Sequence, residues 1–208
     1  MTSKTCLSIS LSLAFFFVVL SYFVDKGALK TIDLATTTTL QKYIPRTLDA
    51  PFSLLSLFGS FEVTTVILLT SIWFIFKRNP TLNIWAILFY IFGNISEVFG
   101  KLFLLHPSPP STYYRYVGIV FPSSYIHTDY SYPSGHMYRI TFITIVLLIS
   151  LRSKNRLLTL TAALTFVPLM IVSRIYLGEH WLSDVIGGSL LGTSLGLLTY
   201  LFTNKNTS

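Results

Sequence analysis

Apolar residues run in long blocks along this chain instead of recurring at the spacing of a surface helix. Six blocks, at about Leu7–Val24, Phe52–Phe76, Leu82–Leu105, His136–Leu151, Leu157–Leu177 and Trp181–Phe202, approach the ~20 residues needed to cross a hydrocarbon core. The fourth is the shortest. The first follows Lys4 and could serve as a secretory signal, but Val24-Asp25-Lys26 offers no small-residue cleavage pattern, so a retained helix is expected. The pattern predicts an all-α membrane protein: a six-transmembrane-helix bundle forming a single domain over residues 1–208. Between the first two blocks, Asp25–Pro51 is too polar to span and leaves room for an amphipathic helix on the outer surface. Between the third and fourth, His106–Pro133 is rich in Pro, Ser and Tyr, the composition of an irregular loop at headgroup level.

Composition sharpens this picture. Of 208 residues, 52% are hydrophobic and only 11% charged, well below the roughly 25% of a soluble domain. A single cysteine, Cys6, excludes an intrachain disulfide framework. The net charge of +7 would suggest nucleic acid in a soluble protein, but here it sorts by loop. With the N-terminus inside, one face carries Lys4, Lys77, Arg78, Arg152, Lys154, Arg156 and Lys205 and no acid. The other carries Lys26, Lys30, Lys42, Arg46 and Arg115 against Asp25, Asp33, Asp49 and Asp129. Positive charge gathers on the cytoplasmic side of membrane proteins, so both termini are expected in the cytoplasm and no nucleic-acid partner is implied.

The remaining ionisable groups lie within or beside the spans, where charge is costly and commonly functional. Lys101 stands a turn from the outer end of the third span. Pro133-Ser134-Gly135-His136 opens the fourth, Arg174 closes the fifth, and His180 and Asp184 open the sixth. The topology brings all of them to the non-cytoplasmic face. If a helix begins near His180, Asp184 shares its face one turn on and can fix the tautomer of the imidazole. Arg174 offers a planar fork of donors suited to phosphate. The bland alternative is a buried ion cluster that packs two helices. A helix start at Ser134-Gly135-His136 adds free N–H groups for phosphate oxygens, and two histidines permit a nucleophile and a proton donor. Glu97 and Lys101, spaced i,i+4, are expected to pair. Glu62 has no partner visible in the sequence, and no Asp, Glu or His grouping has metal-ligand spacing.

These residues resemble the type 2 phosphatidic acid phosphatase superfamily, integral membrane lipid-phosphate phosphatases with a six-helix core. Its signatures are K-x6-R-P, P-S-G-H and S-R-x5-H-x3-D. Pro133–His136 matches the second; Ser173, Arg174, His180 and Asp184 match the third; Lys101 and Pro109 match the first, but Ser108 stands at its arginine position. The resemblance implies His180 as nucleophile through a phosphohistidine, Asp184 as its orienting acid and His136 as general acid. It implies Lys101, Ser134, Gly135 and Arg174 as the phosphate site, a lipid phosphate or pyrophosphate as substrate, and no metal or other cofactor. Arg139, three residues after His136 on the same face, is the candidate replacement for the missing arginine, unless it only snorkels to the interface. Arg115 and His106 are weaker candidates. A lipid phosphotransferase and a non-catalytic lipid-phosphate binder or transporter are the alternative functions.

Overall fold

A computed structural model describes residues 3–74, 79–118, 129–151 and 153–205. Lys77, Arg78 and Arg152, counted above among the cytoplasmic charges, lie outside them, as does His127. The described residues form helices α1 (Ser3–Asp25), α2 (Lys30–Tyr43), α3 (Asp49–Leu57), α4 (Phe61–Phe74), α5 (Pro80–Phe103), α6 (Gly135–Ser150), α7 (Ser153–Tyr176) and α8 (Leu182–Lys205), with no named strand among them. Local chemistry explains several ends. At α5, the Asn79 side chain accepts from Leu82 N at 3.0 Å, with Pro80 in the first turn, where a missing N–H costs nothing. At α7, Gly178 follows the last turn at φ +69°, a left-handed position that glycine fills without strain.

Burial is inverted relative to a soluble protein. Phe15 and Val18 are each 64% exposed and Leu158 is 70% exposed, whereas Ser10, Thr37, Thr64 and Thr199 are fully buried. An apolar exterior around a partly polar interior suits lipid as solvent. Helices α1, α5, α7 and α8 each contain a stretch long and apolar enough to cross a membrane. α6 is a shorter apolar helix.

The Phe52–Phe76 block, expected as one helix, is instead the pair α3 and α4, bent by 46°. The bend lies at Phe58-Gly59-Ser60. A Cβ on Gly59 would sit 2.7 Å from His136 Cδ2, and the Gly59 carbonyl accepts from Arg139 Nε at 3.3 Å. A carbonyl released from helical bonding thus finds a side-chain donor, which is how a break survives away from water.

The centre of the bundle is α6 against α8. Gly188, Gly192 and Gly196 on α8 lie where a Cβ would strike α6: its backbone at Ser134 and Tyr138, and the Ile145 side chain. Small residues let membrane helices approach closely in this way. α1 joins the pair through Ser10 Oγ, 3.0 Å from the Ser194 carbonyl, and Cys6 is buried there. The polar Asp25–Pro51 segment does contain a helix, α2, but Asp33 and Thr37 on it are buried.

The His106–Pro133 segment is irregular where described, with an antiparallel bridge between Pro107 and Tyr130. Arg115 holds it down: Nη1 donates to Tyr176 Oη and Nη2 to the Gln41 carbonyl, each at 3.1 Å.

Candidate active site

The turn between α7 and α8 carries the first half of the site. Because Gly178 reverses the chain, the backbone N–H groups of Glu179 and His180 both donate to the Arg174 carbonyl at 3.3 Å. A Cβ at Gly178 would collide with the Tyr113 carbonyl, so glycine is needed twice over. α8 begins at Leu182, leaving His180 ahead of the helix and not in its first turn as expected. The contact with Asp184 forms nonetheless, across the helix start: Asp184 Oδ2 lies 3.1 Å from His180 Nδ1 and accepts from Trp181 N at 3.0 Å. With Nδ1–H directed to the carboxylate, Nε2 keeps its lone pair. Burial, reinforced by Arg174 and Lys101, holds His180 well below its ordinary pKa, so the ring is neutral at pH 7 and able to attack.

The second half is the start of α6. Ser134 N donates to the Asp184 carbonyl at 3.0 Å, which ties this helix end to the dyad. The first N–H groups of α6 are those a helix leaves without intrahelical partners. Ser134 Oγ is buried and has no hydrogen-bond partner among the described residues; Arg174 Nε is in the same condition. Two buried donors without a protein acceptor among the described residues, on the residues flanking the histidine–aspartate pair, are costly unless an anion completes them.

Glu97 organises the cations. Its Oε1 is 2.7 Å from Lys101 Nζ, the i,i+4 pair expected, and its Oε2 is 2.6 Å from Arg139 Nη1. Asn94 Oδ1 also accepts from Arg139 Nη1 at 3.3 Å. Arg139 is 5% exposed, so it is buried in the site instead of snorkelling. Gly135 proves necessary for a reason the sequence did not suggest: a Cβ there would occupy the Glu97 carboxylate. Arg174 Nη1 pairs with Glu179 Oε2 and Ser56 Oγ. Burial pushes the Glu179 carboxyl above its ordinary value, against the pull of Arg174 and Ser56.

Lys101, Arg139, Arg174 and His180 all lie close enough to His136 to act on it electrostatically. The structure therefore brings Lys101, His136, Arg139, Arg174 and His180 into one neighbourhood, to which the Ser134 and His180 contacts with Asp184 join Ser134, Gly135 and Asp184. Ser108, at the first motif's arginine position, instead borders a 340 Å³ pocket with Lys30, Asp33, His106 and Trp181. Arg115 is committed to Tyr176 and Gln41. Glu179, Ser56 and Gly59 were missed; each acts across a turn or between helices, and none carries a local sequence signal. Among the described residues no group of three or more His, Cys, Asp or Glu is disposed to hold a metal ion.

Comparison with known proteins follows this geometry. The family model described as the PAP2 superfamily matches residues 83–208. An undecaprenyl-diphosphatase of Sulfolobus acidocaldarius is 29% identical over 130 residues, 62% of this chain and 59% of that protein. A lipid A 4'-phosphatase of Porphyromonas gingivalis is 29% identical over 161 residues, 74% of this chain and 65% of that protein. The chain thus spans somewhat less than two thirds of the length of these relatives. The crystal structure of a PAP2-type phosphatidylglycerolphosphate phosphatase from Bacillus subtilis superposes with a TM-score of 0.77 at 22% identity, covering 94% of this chain and 96% of that one; the likeness is one of fold.

Proposed function

Because the chain belongs to the PAP2 superfamily, we propose that it hydrolyses a lipid phosphate or pyrophosphate monoester at the outer leaflet, without a metal and through a phosphohistidine. His180 Nε2 attacks phosphorus and the P–O bond to the lipid breaks. His136, which gains its proton as the phosphate enters and offsets the surrounding cations, supplies the proton that the departing oxygen takes up. His136 then removes a proton from water, the resulting hydroxide attacks phosphorus, and the P–N bond to His180 breaks to release phosphate. Asp184 keeps Nδ1–H in place and balances the positive charge on the phosphorylated ring. Lys101, Arg139 and Arg174, with Ser134 and the backbone from Gly135 onward, hold the phosphoryl oxygens.

One observation carries this reading. Among the described residues, Ser134 Oγ and Arg174 Nε are buried donors without acceptors, on the helix start and turn that flank a histidine–aspartate dyad. A second feature supports a lipid as the alcohol. An apolar cavity of about 690 Å³ lies between α4 and α5, lined by residues that include Leu68, Ile91, Val98 and Phe99, and Asn94 belongs to its wall. Since Asn94 also binds Arg139, a tail in this cavity leads to the phosphate site. Phosphatidic acid, phosphatidylglycerophosphate and polyprenyl pyrophosphate are the substrates of choice to try.

We assign six spans by pairing α3 with α4 and counting α6, with both termini cytoplasmic. The test is phosphate release from a panel of these lipids by purified protein in detergent with a chelator present. Wild type should release phosphate from at least one, and His180→Ala should be slower by about 10³-fold or more. No release from any lipid by well-folded wild type would overturn the reading.

A further inference from the structure

The catalytic dyad does not end at Asp184. Asp184 is completely buried. Its Oδ2 is served by His180 and Trp181, but Oδ1 has no aligned hydrogen bond among the described residues. His106 Nε2 lies 3.3 Å from this oxygen, and the Ser131 hydroxyl also acts on the carboxylate. His106 is 2% exposed, and the same Nε2 lies 3.2 Å from Ser183 Oγ and 3.8 Å from Asp33 Oδ2. Asp33, 1% exposed on α2, is itself fixed: its two oxygens accept from Ser183 N and Ser183 Oγ, both at 2.8 Å. The result is a row, His180–Asp184–His106–Asp33, running from the nucleophile into the protein. Asp33 lies outside the three sequence motifs, and His106 occupies only a spacer position of the first.

A fully buried carboxylate needs donors on both oxygens, or the cost of desolvation pushes it toward the neutral form. Facing two carboxylates, His106 Nε2 carries its hydrogen toward them, and Asp33 favours that arrangement. Burial raises the Asp33 carboxyl and Asp184 adds to the push, while the two Ser183 hydrogen bonds and then His106 oppose it; the histidine stands between the two acids at 3.3 and 3.8 Å. The loose 3.3 Å contact is of the kind that tightens when charge develops on the neighbouring ring.

We propose that His106 and Asp33 are positioning residues for the reaction: they hold Asp184 ionised and oriented so that it can support His180 when that ring becomes cationic on phosphorylation. This rests on His180 being the nucleophile. A glutamine at position 106 places an amide N–H near the Nε2 site, whereas an asparagine places it near Nδ1. His106→Gln should therefore retain most of kcat, and His106→Asn should lose about 10- to 100-fold, with KM for the lipid within about threefold of wild type. Both variants should unfold at similar temperatures, and in an Asp184→Asn background the Gln-to-Asn difference should vanish. Asp33→Asn should lower kcat less than His106→Asn. Equal kcat for His106→Gln and His106→Asn, whether both high or both low, would overturn the proposal, as would a difference that persists without the Asp184 carboxylate. Failure of the underlying reading is seen separately, as undiminished phosphate release by His180→Ala.

Discussion

Ser134 and Arg174 each hold a donor that no acceptor among the described residues uses. Ser134→Ala removes one neutral donor to a charged oxygen and should reduce kcat/KM by about 10- to 100-fold while leaving the unfolding temperature near that of wild type. An unchanged kcat/KM would remove Ser134 from the phosphate site. Arg139→Ala should reduce turnover as well, and unchanged turnover would leave it a purely structural partner of Glu97. The pH dependence follows from His180. Because burial and nearby cations hold it below its ordinary value, the neutral nucleophile persists as pH falls through about 6.5. The acid limb of kcat due to His180 should therefore lie below that pH, and its appearance at or above 7 would contradict the buried, cation-flanked ring. Much of this was legible residue by residue: Lys101–Glu97 is an i,i+4 pair on one helix, and the motif spacing located His136, His180 and Asp184. Arg174–Glu179 was not, because an i,i+5 contact exists only once Gly178 has turned the chain. His106 and Asp33 were read as outer-loop residues, since two polar segments far apart in sequence give no sign that they fold inward onto Ser183.

At the scale of the helices, hydropathy identified where apolar blocks lie but not how they bend or meet. The block at Phe52–Phe76 reads as continuous because its composition hardly changes across Phe58-Gly59-Ser60; what breaks it is the approach of His136 and the Arg139 bond to Gly59. Gly59→Val should displace the His136 ring and depress kcat strongly, whereas a wild-type rate would show that the bend has no bearing on the site. The α6–α8 contact depends on glycines that the motif-based reading did not use. Gly192→Val forces atoms into the Tyr138 carbonyl and the Thr141 hydroxyl. Overpacking of this kind costs about 1–3 kcal/mol, so the unfolding midpoint in detergent should fall by several degrees. An unchanged midpoint would mean the two helices do not pack this closely.

For the molecule as a whole, the inverted burial, the apolar helices and the family membership make this a multi-pass membrane protein. The proposed orientation rests on seven basic residues without an acid on one face, against five basic and four acidic on the other. Epitope tags at either end should be reached by antibody only after the membrane is permeabilised, and labelling of intact cells would reverse the assignment. In that proposed orientation the site would face away from the cytoplasm, and a substrate phosphate at the interface would meet the cations with its tail between α4 and α5. The most direct test concerns the bond at the centre of the chemistry. Wild-type enzyme mixed with lipid carrying labelled terminal phosphate, quenched within milliseconds in alkali, should yield a phosphopeptide modified on His180, and His180→Ala should yield none. Rapid phosphate release with no label on His180 at any time would contradict the account.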